Sequence, residues 1–195
     1  MSVKRAPSSS PHALRVVPLG GIGEIGKNMT VFEYADQIVV VDCGLMFPEE
    51  EMYGIDIVIP DIAYLRENRA KVRAFLITHA HEDHIGALPY VLPELPGVPV
   101  YASTLARGLI SSKVKEHKLR NNPLRALDPG ETVELGHFDV TAFRVGHSIP
   151  DAMGLRIRTP VGDIVHTGDF KFDQTPVDGK PVDFQDIARF GEEGV

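Results

Sequence analysis

The sequence predicts one strand-rich α/β domain whose sheets need helices on their outer faces. Short β-branched runs recur between Gly, Pro, Asn and Asp, and helical stretches are few. The 195 residues, 43% hydrophobic and 24% charged, suffice for one good-sized core.

In chain order, residues 1–13 are rich in Ser and Pro without apolar periodicity and read as a disordered leader. Strands are expected over residues 14–19, 29–34, 37–42, 72–78, 98–102, 132–135, 138–145, 155–159 and 163–166. Two helices are expected: residues 84–92, which follow Asp83, and residues 104–117, which follow Ser103 as an N-cap. No internal repeat and no interior linker interrupts them.

Composition narrows the setting. Cys43 is the single cysteine and cannot form an intrachain disulfide, and the leader holds no apolar run of secretory type. A reducing cytoplasm is the expected location. The longest apolar stretches are far too short to span a bilayer, so no membrane association is expected. The net charge of −7 argues against a nucleic-acid partner in general. Locally, however, Arg107, Lys113, Lys115, Lys118, Arg120 and Arg125 stand against Glu116 alone. That stripe is either a solvated helix face or a track for a polyanion.

Gly21, Gly23 and Gly26 satisfy a G-x-G-x-x-G pattern after the first strand. A dinucleotide site needs a helix N-terminus directly after the glycines, whereas residues 27–42 alternate like a hairpin. The glycines therefore read as a tight loop.

The chemistry concentrates in FLITHAHEDHIGALPY, where His79, His81, Asp83 and His84 leave a buried strand and enter a helix. Residues two apart in extended backbone project to the same side roughly 6 to 7 Å apart, so His79 and His81 can converge on one ion. Asp83 and His84 point elsewhere, toward a second. His147 and Asp169 each stand just past a strand, where a sheet fixes a ligand's position. His79, His81 and His147 could hold one ion, with Asp83, His84 and Asp169 serving the other and Asp169 bridging. Six donors exceed one tetrahedral zinc, which implies two ions. His12, His117, His137 and His166 are given no ligand role. Asp42, ending a strand in VVVDCG, is either a carboxylate that orients a ligand histidine or a simple turn residue.

These segments resemble the metallo-β-lactamase superfamily and, within it, the β-CASP nucleases of the bacterial ribonuclease J type. The resemblance covers nearly the whole chain, through LGGIGEIGKN, VVVDCGLMFPEEEMYGIDIVIPD, ITHAHEDHIGALPY, VGHSIPDAMGL and HTGDFKFDQTPVDGK. It implies an αββα sandwich and a phosphodiesterase with two zinc or manganese ions, acting on single-stranded RNA, and a homodimer for the full-length protein. It also implies that His79, His81 and His147 hold the first ion, that Asp83, His84 and Asp169 complete or bridge to the second, and that Asp42 supports them. Asp83 would hold the attacking hydroxide in place. The family continues past Asp169 with further strands, a β-CASP domain and a late histidine. Residues 14–195 are accordingly expected to be the N-terminal part of such a domain. Two other readings stay open: a small-molecule metallohydrolase of the hydroxyacylglutathione hydrolase type, and a metal-holding module without activity.

Overall fold

The computed structural model describes residues 13–119, 121–176 and 178–195. The expected leader up to residue 12, with His12, and Arg120 of the basic stripe lie outside the described residues.

The chain runs β1 (Arg15–Gly20), β2 (Met29–Tyr34), β3 (Gln37–Val41), α1 (Ala63–Glu67), β4 (Val72–Leu76), α2 (Glu82–Ile85), α3 (Leu88–Val91), β5 (Val100–Ala102), α4 (Thr104–Glu116) and β6 (Leu124–Ala126). These strands form one sheet in the order β1-β2-β3-β4-β5-β6, antiparallel up to β3 and parallel from there. β7 (Thr132–Glu134), β8 (Asp139–Arg144), β9 (Met153–Thr159) and β10 (Gly162–His166) form an antiparallel sheet in the order β10-β9-β8-β7, and α5 (Phe184–Glu193) follows.

The layers follow from side-chain alternation. In β3 and β4, Val39, Val41, Ala74 and Leu76 face one way and meet Val140, Ala142, Leu155 and Ile157 of the second sheet. Ile38, Val40, Phe75 and Ile77 face the other way and pack under α1 to α4 through Leu65, Leu88, Val91 and Ile110. Both faces of β3 are covered, which is why QIVVV is a continuous apolar run rather than an alternating one. On the far face of the second sheet, Phe143 and Val145 pack against Phe190 of α5. The result is the αββα order of layers.

The structure corrects the expected elements in several places. The helix over 84–92 is two short helices, because Pro89 lacks an N–H and fits only the first turn of a new helix after Gly86. The helix after Ser103 forms as expected, with Ser103 Oγ accepting from the Ala106 N–H at 3.4 Å. β6, α1 and α5 were not expected. β6 has three residues behind Asn121, Asn122 and Pro123, and α1 has five, so neither has room for a period. In α5 the spacing of Ile187 and Phe190 was the available signal.

Candidate metal centre

The site gathers at the ends of strands. Asp42 follows β3, His79 follows β4, His147 follows β8 and Asp169 follows β10, so both sheets contribute. Asp42 has a left-handed backbone (φ +62°), a conformation Asp tolerates better than most residues. The turn it makes lets residues 43 to 45 bind α2: the Cys43 N–H donates to the His84 carbonyl at 2.7 Å and the Leu45 N–H to the Glu82 carbonyl at 3.0 Å. Gly44 allows this approach, since a Cβ there would lie 1.5 Å from the Asp83 carbonyl oxygen. Asp42 is thus a turn residue whose carboxylate also reaches His84 Nδ1 at 2.7 Å.

His79 Nε2 lies 3.0 Å from His81 Nδ1, and His147 Nε2 lies 3.2 Å from the same atom. Nitrogens sharing one tetrahedral zinc at 2.0–2.1 Å stand about 3.3 Å apart, so this set fits an ion with little adjustment. Around His84 Nε2, Asp83 Oδ2 and Asp169 Oδ2 each lie at 3.5 Å. Asp169 Oδ2 is also 3.8 Å from His147 Nε2, between the two groups. Two mutually close donor sets result among the described residues: His79, His81 and His147, and His79, His84 and Asp169. The expected first set is brought together. In the second, His79 joins His84 and Asp169, while Asp83 touches the set through His84.

Electrostatics agree with a cation position. Burial opposes charge on His84, yet Asp42, 2.7 Å from Nδ1, and Asp83 raise it to about 10. Asp83 is held below its ordinary range chiefly by its hydrogen bond with His84. Burial would raise Asp42, but His84 pulls it down. Three carboxylates around one imidazole favour positive charge there, and a divalent cation competes with the proton for Nε2. Burial first, and the His84 charge next, push His79 down to about 3, so its ring is neutral and suited to ligation. His147 is lowered by burial as well.

Several neighbours carried no signature in the sequence. Asn28 donates from Nδ2 to Asp83 Oδ2 at 3.2 Å and lies 3.1 Å from His84 Nε2. Thr78, at the end of β4, contacts Asp42 and His79. His166, read as an ordinary strand residue, lines a cleft with Asn28, Asp42, His84 and Asp169, and its Nδ1 accepts from the Gly168 N–H at 3.1 Å. Gly20 and Gly21 rim that cleft, and no helix follows the glycines of this loop. His117 packs edge-on against Tyr90, and His137 against Tyr34.

The basic stripe is divided. Lys113 reaches from α4 to Glu82, 2.6 Å from Oε1, next in the chain to His81. Lys115 and Lys118 are exposed, while Arg125 lies over the Tyr101 ring. No helix among the described residues is long and apolar enough to cross a membrane.

Comparison with known proteins adds to this geometry. The family model described as Metallo-beta-lactamase superfamily matches residues 22–194. Ribonuclease J of Thermus thermophilus is 49% identical over 189 residues, covering 93% of this chain and 33% of that protein. Ribonuclease J of Corynebacterium glutamicum is 44% identical, covering 97% and 26%. The chain therefore spans a third or less of these two relatives' length. Among solved structures, a metallo-beta-lactamase fold protein from Bacillus subtilis aligns with a TM-score of 0.56 at 19% identity, covering 83% of this chain and 65% of that one. Human tRNase Z, short form, aligns at 0.56 and 18% identity, covering 79% and 68%. At such identities these two structures speak to the fold alone.

Proposed function

The chain belongs to the metallo-beta-lactamase superfamily, and from that premise we propose that it carries the metal centre of a ribonuclease J-like phosphodiesterase acting on single-stranded RNA. One observation carries the chemistry: two donor sets share His79 at the strand ends. The RNA substrate is supported by the 49% and 44% identity to the two ribonucleases J. On this reading His79, His81 and His147 hold one ion, and His84, Asp83 and Asp169 the other, with Asp169 between them. Histidine-rich donors suit zinc, and the carboxylates leave manganese as the second choice.

When bound, such ions lower the pKa of water and offset charge growing on phosphoryl oxygens. The chain's own residues do the rest. Asp42 fixes the His84 ring through Nδ1. Asp83, kept ionised by His84 and oriented by Asn28, is the catalytic group that accepts a proton of the attacking water. Cys43 is no nucleophile, because it is fully buried and burial pushes its thiol well up. Exposed Lys115 and Lys118 steer the polyanion. A cytoplasmic setting, supported by the lone buried Cys43, and a homodimer complete the reading.

The test is cleavage of a 5′-labelled single-stranded RNA by the purified protein, with and without chelator. Cleavage abolished by chelator and restored by zinc or manganese supports the reading. Turnover of a thioester with no cleavage of RNA would favour a small-molecule metallohydrolase.

A further inference from the structure

The donor sets are backed by one hydroxyl. Thr78 is 1% exposed, and its Oγ1 lies 2.8 Å from Asp42 Oδ2, 3.1 Å from Asp42 Oδ1, 3.0 Å from His79 Nδ1 and 3.5 Å from His84 Nδ1. Its N–H also donates to Asp42 Oδ1 at 2.8 Å. A carboxylate that takes donors on both oxygens acts only as acceptor, so the single hydroxyl proton goes to Asp42. The Thr78 oxygen is then left to accept from His79 Nδ1–H. Asp42 likewise accepts from His84 Nδ1 at 2.7 Å.

Both protons are therefore held on the rear nitrogens. His79 Nε2 is left with its lone pair toward His81, and His84 Nε2 faces Asp83 and Asp169. Thr78 also lies against the turn that carries Asp169, since a Cβ on Gly168 would lie 3.0 Å from Thr78 Cβ, and its carbonyl accepts from the Met153 N–H of β9 at 3.0 Å.

We infer that Thr78 is a positioning residue for both metal positions at once, fixing the His79 tautomer directly and the His84 ring through Asp42. This rests on the metal reading above. A threonine beside a histidine at a strand end is ordinary in itself. What distinguishes this one is burial together with contacts to a ligand of each set and to their shared support. Losing the hydroxyl leaves the His79 Nδ1–H without an acceptor, so the ring can move its proton to Nε2 and turn an N–H toward the ion position.

The test compares the purified protein with Thr78→Val, which keeps the shape, and Thr78→Ser, which keeps the hydroxyl. Zinc alone is titrated against a competing chelator, and the His79 tautomer is read from 15N NMR of the ring. Thr78→Val should weaken zinc binding about 10- to 100-fold at both positions, and Thr78→Ser should restore most of it. In the wild type, His79 should carry its proton on Nδ1. A purely structural role would lower the melting temperature without changing the tautomer. Wild-type affinity in Thr78→Val, or a wild-type His79 protonated on Nε2, overturns the assignment. Should Thr78→Val fail to fold, weak binding by a folded Thr78→Ser overturns it as well. A wild type that binds no zinc overturns the metal reading itself, and this inference with it.

Discussion

Asp42 Oδ2 lies 2.7 Å from His84 Nδ1, with both side chains 3% exposed. A buried carboxylate behind a ligand histidine fixes the ring and raises its basicity. Replacing Asp42 with Ala leaves the His84 Nδ1–H and the Thr78 hydroxyl short of an acceptor. The expected loss is about 1–3 kcal/mol of stability, together with weaker metal binding at the His84 position. Thermal unfolding and metal titration of Asp42→Ala check both, and unchanged values would deny the supporting role.

Gly44 and Gly108 should respond in opposite directions to alanine. At Gly44 the added methyl meets the Asp83 carbonyl at 1.5 Å, so α2 must move, and Asp83 and His84 with it. Such overpacking costs about 1–3 kcal/mol or more. At Gly108, inside α4, nothing lies within 4 Å of the new methyl. Alanine there should stabilise by about 0.5–1 kcal/mol. Chemical denaturation of the two variants separates them, and a neutral Gly44→Ala would contradict the packing described.

Much of this centre was legible in the sequence, because His and Asp at ligand spacing are rare enough to stand out. Asp42 was ambiguous for a physical reason: a turn aspartate and a supporting carboxylate look alike until the partner His84, 42 residues away, is in place. Thr78 and Asn28 are small polar residues whose roles arise from tertiary contact, so no local pattern marks them. The strands were readable because β3 and β4 are buried on both faces. Helix 84–92 was misread because the apolar period runs through Pro89 while the backbone cannot. The basic stripe left two readings open, and no local pattern marks that Lys113 is paired with Glu82, which lies 31 residues away.

On the proposed RNA reading, that last contact changes which lysines should govern binding. Removing Lys115 and Lys118 should lower the slope of log affinity against log salt by roughly one each. Replacing Lys113 should leave the slope nearly unchanged, because its charge already has a partner. Binding of single-stranded RNA across a salt series measures this. Equal effects of all three would show that the Glu82 pair does not hold Lys113 in solution.

Acid should unfold the protein partly through Glu33. Burial opposes its charge, but Lys71 at 2.8 Å, a Tyr64 hydroxyl hydrogen bond and Arg15 hold the carboxyl below its ordinary range. A depressed folded pKa contributes stability above the unfolded value of about 4.3. That contribution disappears as the pH falls through the folded value. Glu33→Gln should be less stable than the wild type at pH 7, and the two should converge toward pH 2. A constant difference between them would assign the loss to packing instead.

The most direct measurement is the metal content of His79→Ala beside that of His81→Ala and His84→Ala, determined by elemental analysis after equilibration with zinc. His79 stands with His81 and His147 in one donor set and adjoins His84 and Asp169, so His79→Ala and His81→Ala should each lose tightly bound metal at the first position and keep it at the second, whereas His84→Ala should do the reverse. Full metal content in His79→Ala would contradict a centre whose first position is built on that histidine.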